Sequence, residues 1–402
     1  MKKYKVAIVG GGASGLLCAV ELILGTDKLK GEDIAIIERN DRVGKKLVAT
    51  GNGRGNLSNC NILSNFYHGD KNFIETFVNS IKNGEILEYL ENLGINLTKE
   101  DNKIYPLSFQ ANSVLDILRA ILTKNNVNVF TSTKINNIYK NNNNFILESQ
   151  RQTIMAQNVV LAVGGACGKQ FGTDGTSYSL ATEFGHKVTK LYPSLVQLKT
   201  QTQNIKGLKG IKEVAKVTAY DGNNILATSI GDVLFTDYGV SGSAIFSVSG
   251  YLTNLKNAKI EIEFLPNVDK KYIYDIIEFR INKGYFNDCG ILTGIINKKL
   301  GEKIIKDLTF KFNRFPTINE IVNQIKRFSL NVIGTLGNDY AQVTKGGIEA
   351  IDINSNSFES KLTKNLYIVG EMLNVDGDCG GYNLTFAFYS GISSAKSIKN
   401  NL

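Results

Sequence analysis

Histidine is nearly absent from this chain, with only His68 and His186 among 402 residues. Chemistry built on a histidine cluster is therefore set aside, and no metal site is expected. Cysteine is scarce and scattered, at Cys18, Cys60, Cys167, Cys289 and Cys379, with no Cys-x-x-Cys pair. That spacing argues against a disulfide framework, a structural zinc site and the short-spaced dithiol of a disulfide reductase. Cys379 then reads as an incidental thiol and Cys18 as part of a core. Long apolar runs are also missing. The stretch that imitates a signal peptide, Val6 to Leu24 behind Met1-Lys2-Lys3, is broken by Gly10-Gly11-Gly12 and carries Glu21. No run approaches the ~20 apolar residues that span a bilayer. The expectation is a soluble, cytoplasmic protein without a membrane partner.

What is present sets the scale. At 402 residues the chain exceeds the roughly 250–300 at which one core stops growing, so more than one domain is expected. With 43% hydrophobic and 21% charged residues it has the composition of a globular protein. The 46 Lys and Arg outnumber the 37 Asp and Glu, a net charge of +9 that favours anionic ligands. The basic residues are dispersed and form no nucleic-acid motif, so a small-molecule substrate is expected and nucleic acid is not.

Tyr4 to Val9 is a short apolar run that ends in glycines. Leu16, Leu17, Ala19, Val20, Ile23 and Leu24 follow at helical spacing, and Asp33 to Ile37 is a second strand closing on Glu38. Arg39 to Asn59, rich in Gly, Asn and basic residues, reads as a long ordered loop. Residues 73–92 and 113–124 are helical in period, and 127–163 holds short strands with a hairpin turn at Asn141–Asn144. Past Pro193 the pattern alternates over 214–220, 225–229 and 260–264, a mainly β insertion. Residues 272–281 and 318–328 look helical. Leu366 to Val369 is again a buried strand before glycines, which returns the tail to the first domain. The division expected is 1–193 with 340–402 for the cofactor domain, 194–266 with 329–339 for a β-rich substrate domain, and 267–328 for a helical subdomain.

Three segments carry chemistry. The first is Gly10-x-Gly12-x-x-Gly15, with Ala13 and Ser14 before the last glycine and Glu38 23 residues beyond it. The first glycine permits a tight turn, the second lets backbone approach a pyrophosphate, and the third lets helix and strand pack closely. The helix N-terminus stabilises the phosphates and Glu38 accepts from an adenosine ribose. An acid at that place fits FAD or NAD better than NADP. The second segment, Thr50-Gly51-Asn52-Gly53-Arg54-Gly55-Asn56, offers the close backbone and side-chain amides that an isoalloxazine and its ribityl chain require. Lys45, Lys46 and Arg54 add positive charge. The third runs from Gly370-Glu371 through Asp376 to Gly381-Tyr382-Asn383. Its carboxylate suits polyol hydroxyls, and the helix beyond suits negative charge on a reduced flavin.

These stretches, with Phe235-Thr236, Tyr238-Gly239, Ser241-Gly242, Val343-Thr344, Gly346-Gly347 and Glu359-Ser360-Lys361, resemble one family over nearly the whole chain. It is the FAD-dependent oxidoreductase family of aminoacetone-oxidase-like and dehydro-bile-acid-reductase-like flavoproteins. The resemblance implies an α/β fold, with a discontinuous Rossmann-like FAD-binding domain, an inserted β-rich substrate domain and a small helical domain. It places Gly10, Gly12 and Gly15 at the pyrophosphate, Glu38 at the ribose, and Lys46 and Leu47 at the entry to the flavin loop, with Ala13, Ser14, Arg39 and Lys45 among the cofactor-binding residues. Thr50, Gly51, Gly53, Arg54 and Asn56 would surround the isoalloxazine. Ile135 would meet the adenine through its backbone, and Ala162, Gly164, Gly165, Gly370, Glu371, Asp376, Gly381, Tyr382 and Asn383 would close the remainder. The chain departs from the family pattern at Gly55 for a common Cys, Asp237 for a frequent His and Ser243 for a usual Pro. Those positions are expected near the substrate side.

The reaction expected is hydride transfer between flavin N5 and a small organic substrate. Tyr382, Asp237 and Tyr238 are the polar candidates for proton handling or substrate orientation. No second Gly-x-Gly-x-x-Gly follows a strand, so NADH or NADPH would act as a transient donor rather than a resident of its own domain. Two enzyme readings stay open: a reductase of an unsaturated or steroid-like compound, and an amine oxidase or dehydrogenase. A flavin-based redox sensor is the alternative outside catalysis.

Overall fold

The computed structural model describes residues 2–25, 28–81, 84–253, 255–285 and 288–402. The chain divides into two units, Met1–Tyr192 with Val343–Leu402, and Pro193–Gln342.

The first unit is a Rossmann-like α/β domain. Its seven-stranded sheet runs in the order Asn128–Phe130, Ile34–Ile37, Lys2–Val9, Thr153–Leu161, Asn144–Ser149, Ile135–Asn141, with Leu366–Ile368 pairing to the far half of Thr153–Leu161. The first four of these strands and Leu366–Ile368 are parallel, and the hairpin either side of Asn142 is antiparallel. Ile34–Ile37 is buried at every residue, as a parallel strand covered on both faces must be. Register aligns the strand ends: Val9 lies opposite Ile37 and Leu161, and Leu161 opposite Ile368. Gly10, Glu38, Ala162 and Val369 therefore leave the sheet along one edge, where open α/β sheets bind their ligands.

The tail does return to this domain. Its last helix, Tyr382–Asn401, packs on the first, Ala13–Ile23, so closely that a Cβ at Gly391 would lie 2.2 Å from the Ser14 carbonyl oxygen. The stretch read as a loop, Arg39 to Asn59, contains one short helical turn, Lys45–Val48, too brief for a periodic pattern to reveal, followed by left-handed backbone at Gly51, Asn52 and Gly53.

The second unit holds a closed six-stranded barrel in the order Leu198–Thr200, Gly239–Ser241, Asn224–Phe235, Lys212–Asp221, Ala258–Phe264, Phe328–Thr335. Helices Lys270–Lys283, Lys298–Phe312 and Ile318–Lys326 share one apolar core with it, Ile273, Ile277 and Ile321 lying in the same cluster as Val217, Ile262 and Leu330. Phe328, read at the end of a helix, starts a strand instead. Its ring enters the barrel core beside Phe235 and Phe264, and that burial overrides the helical period.

Candidate functional site

At the first turn the three glycines have different neighbours. A Cβ on Gly10, whose φ is +109°, would meet the Ala162 carbonyl oxygen at 2.2 Å, and one on Gly15 would meet the Gly10 oxygen at 2.0 Å. Both glycines are demanded by the protein itself. A Cβ on Gly12 would meet no atom within 4 Å. No side chain caps the helix at Gly12, so its first N–H groups and its positive dipole end are left for a ligand. Glu38 is fixed at the rim of this turn, Oε2 accepting from Gly11 N at 2.8 Å and Oε1 from Asn40 N at 2.8 Å. Each oxygen keeps a second lone pair for a hydroxyl.

Arg39 turns to Asp174, which accepts from both terminal guanidinium nitrogens at 2.9 Å. This pairing holds the Asp174 carboxyl well below the usual range. Lys46 reaches across the sequence to Glu371 at 2.6 Å and to the Cys167 carbonyl oxygen at 3.1 Å. The other Glu371 oxygen accepts from Thr344 N at 2.9 Å, and the Thr344 hydroxyl accepts from Ala166 N and Cys167 N. Glu371, read as a holder of polyol hydroxyls, thus has both oxygens engaged by protein donors. The same cluster explains Gly165, where a Cβ would lie 2.3 Å from the Thr344 hydroxyl oxygen. Thr344 is part of a stretch that carries the family resemblance but has no role assigned from sequence, and Asp174 is not singled out at all. Thr344 carries a signal, since it stands just before Gly346-Gly347, whereas Asp174 carries none.

In the flavin loop, Thr50 donates through its hydroxyl to the Leu47 carbonyl, and Leu47 is buried. Gly51, Asn52 and Gly53 all adopt left-handed backbone and are exposed. Arg54 pairs with Glu100 and lies over the rings of Tyr105 and Phe109, 4.7 and 4.5 Å from their centroids. Gly55 is buried with φ +77°, and a Cβ there would sit 3.0 Å from Ala111 Cα. The glycine at this departure from the family pattern relieves packing under the loop, so its position does not by itself mark the substrate side. Asn56 satisfies both ends of its amide when its oxygen faces Gly381 N and its nitrogen faces Ser58 O. Ile135 is buried at the start of its strand.

The C-terminal segment is assembled from three distant pieces. Val375–Gly377 pairs antiparallel with Tyr67–Gly69, which sets Asp376 opposite His68. Asn383 accepts from Gly377 N at 2.8 Å and donates to Gly377 O at 2.6 Å, while Asn59 donates to Gly380 O at 2.9 Å. Tyr382 is buried, stacked on Phe66 at 4.8 Å and edge-on to Tyr67. Burial pushes its hydroxyl up to about 12, which leaves it a proton donor rather than a phenolate near neutral pH. Asp376 is 2% exposed, and its Oδ1 has no hydrogen-bond partner among the described residues. Burial raises its carboxyl to about 6. No side chain caps the helix that begins at Tyr382.

Asp237 and Tyr238 lie in the second unit, in the turn between Asn224–Phe235 and Gly239–Ser241. Asp237 is exposed and paired with Lys209 at the mouth of a cleft of about 380 Å³ that also takes in Thr202, Lys206 and Thr236. Tyr238 is half-buried. Ser243 opens a short helix and accepts from Asp232 N at 2.9 Å. Among the described residues no group of acidic, histidine or cysteine side chains could hold a metal ion, and no helix is long and apolar enough to cross a membrane.

The first unit fits FAD. The open side of Gly12, two uncapped helix N-termini and a buried carboxylate oxygen without a partner are what a pyrophosphate, a reducible ring and a polyol chain would each take up.

Comparison with known proteins agrees. The family described as HI0933-like protein Rossmann domain matches residues 4–397. The chain is 32% identical to the 3-dehydro-bile acid delta(4,6)-reductase of Clostridium scindens, over 98% of both proteins. It is 25% identical to the ribosomal RNA dihydrouridine synthase of Haemophilus influenzae, over 97% of both. Among solved structures, the 3-ketosteroid-delta4-(5alpha)-dehydrogenase of Rhodococcus jostii shares the fold at 12% identity, with a TM-score of 0.53 over 99% of this chain and 97% of that one. On the strength of the full-length match, the chain belongs to the HI0933-like Rossmann family and is an FAD-dependent oxidoreductase.

Proposed function

We propose that this protein is an NAD(P)H-fed reductase that saturates a carbon–carbon double bond conjugated with a carbonyl in a small, apolar, steroid-like compound. The observation that carries the reading is the 32% identity, end to end, with a reductase of a 3-dehydro-bile acid. The dihydrouridine synthase points to the same chemistry, because making dihydrouridine also saturates a ring double bond beside a carbonyl. The higher identity to the first, together with basic residues that form no stripe, favours a small molecule over RNA. A cytoplasmic setting, where NAD(P)H is available, suits the reading.

Bound FAD supplies hydride transfer at its N5. The chain's own residues do the rest. The turn at Gly12 and the N-terminus of Ala13–Ile23 bind the pyrophosphate, and Glu38 orients the ribose. Asp376 holds the polyol chain, and the N-terminus of Tyr382–Asn401 stabilises negative charge on the ring edge. Tyr382, Asp237 and Tyr238 are the side chains nominated to orient substrate or deliver the proton that completes saturation.

The test is spectroscopic. NADH or NADPH added without oxygen should bleach the oxidised flavin band, and a 3-oxo-4-ene steroid should restore it with the saturated ketone as product. Flavin that stays oxidised with both nicotinamides but bleaches with an aliphatic amine would replace this reading with an amine oxidase. Re-oxidation by unmodified ribosomal RNA, with dihydrouridine formed and steroid inert, would move the substrate to nucleic acid.

A further inference from the structure

The polar groups around the C-terminal loop are mostly engaged within the protein. Asn383 is locked to Gly377, Asn59 to Gly380, and the Asp378 carboxylate to His68 Nε2 at 2.8 Å. Asp376 differs: it is more deeply buried than any of these, and its Oδ1 has no donor among the described residues. A carboxylate in that state has lost its hydration without replacement, which shifts its balance toward the neutral acid until a donor arrives.

The charged groups facing Asp376 come from every element packed around it. His68 stands directly opposite in the antiparallel pairing, on the same face of the ribbon. Asp378 follows on its own segment, Glu371 precedes it, and Lys345 comes from the neighbouring strand Val343–Lys345. Burial lifts the carboxyl to about 6. His68 and Lys345 oppose that rise, and Asp378 and Glu371 reinforce it. Burial is the largest of these influences and decides the sign.

We propose that Asp376 is a proton-linked latch for FAD, which in mild acid is protonated before the cofactor binds and ionised once a polyol hydroxyl donates to it, with His68 helping to set the pH at which the latch closes. The inference rests on the cofactor reading above. Its balance is simple: one proton leaves the Asp376 carboxyl for solvent, and one charge-assisted hydrogen bond from the polyol forms. His68 is a positioning residue here, since it acts on the cofactor only through Asp376.

The sign follows from linkage. The form that binds FAD best has lost a proton, so affinity is constant above the midpoint near pH 6 and falls by about tenfold per pH unit below it. His68→Gln removes a group that favours the ionised carboxyl, so the midpoint rises. Asp376→Asn removes the titration and flattens the profile.

The experiment uses the full chain stripped of flavin. FAD is titrated in from about pH 5 to about pH 8 with flavin fluorescence as readout, and proton release is followed with an indicator dye in weak buffer. The expected result is release of close to one proton per FAD below the midpoint, a raised midpoint in His68→Gln and a flat profile in Asp376→Asn. Should Asp376→Asn fail to fold, wild-type proton release and the His68→Gln midpoint carry the test alone. FAD binding without proton release, or an unmoved midpoint in His68→Gln, overturns the latch and leaves the cofactor reading standing. A chain that takes up no FAD at any pH overturns both.

Discussion

Two turns of the first unit, both candidates to face the cofactor, are built in different ways. The turn from Gly10 to Gly15 is short and glycine-rich: Gly15 is required by the Gly10 carbonyl, Gly10 by the Ala162 carbonyl at the end of a neighbouring strand, and Gly12 meets no atom of the protein. The loop from Asp376 to Asn383 is held by side chains from Ser58–Asn59, Tyr67–Gly69 and its own helix, pieces more than three hundred residues apart in the chain. A candidate site can thus be specified in one segment by glycines at fixed offsets and in another by side chains from distant parts of the chain.

The largest expected effects test the first half of that contrast. Gly15→Ala or Gly10→Ala drives a methyl into a backbone oxygen at 2.0 or 2.2 Å and should cost about 2–4 kcal/mol in denaturant unfolding. Gly12→Ala should unfold within about 0.5 kcal/mol of wild type, yet lose FAD affinity by about tenfold or more. Equal destabilisation at positions 12 and 15 would erase the distinction between packing glycine and ligand glycine.

The second half is sharpened by its side chains. Asn383→Ala deletes both hydrogen bonds to Gly377, and Lys46→Met leaves one Glu371 oxygen without its partner. Each should cost about 1–3 kcal/mol of unfolding free energy. Asn383→Ala should also lower flavin occupancy of the purified protein. Unchanged stability in both would mean the loop is held by backbone after all.

Smaller effects follow at the ion pairs. Asp174 has a depressed folded value because Arg39 grips both oxygens, so its contribution is complete above the unfolded value near 3.9 and disappears as pH falls through the folded one. The pair is partly solvated, so the loss in acid is about 1 kcal/mol. Asp174→Asn should be less stable by that amount at neutral pH and lack the corresponding acid limb. Asp237→Asn should change stability by less than about 0.5 kcal/mol, since both members of its pair are exposed. A change in turnover with stability unmoved would tie Asp237 to substrate, and equal kinetics with each steroid tried would leave it a surface ion pair.

The sequence made the first strand, turn and helix legible because their signals are short-range: an apolar run, glycines at fixed offsets and a helical period. It also showed that the tail returns, since Leu366 to Val369 repeats the buried strand idiom. Closure of the barrel was not legible. Leu198 pairs with Thr335, and nothing local to either announces a partner so far away. Phe328 misled for the same reason, its assignment being decided by the rings of Phe235 and Phe264 rather than by its neighbours in sequence.

The candidate site divides along the same line. Gly10, Gly12, Gly15 and Glu38 were readable because backbone geometry and one carboxylate at fixed spacing suffice for a dinucleotide turn. The pairing of Arg39 with Asp174, the bond from Lys46 to Glu371, and the placing of His68 against Asp376 were decided only in three dimensions. Hydrogen-bond partners are chosen by burial and direction, and neither is written in the order of residues. What sequence alone determined is the class of cofactor and the domain that holds it. Tertiary structure determined which polar groups of the C-terminal loop are already engaged, and left Asp376 Oδ1 without a hydrogen-bond partner among the described residues.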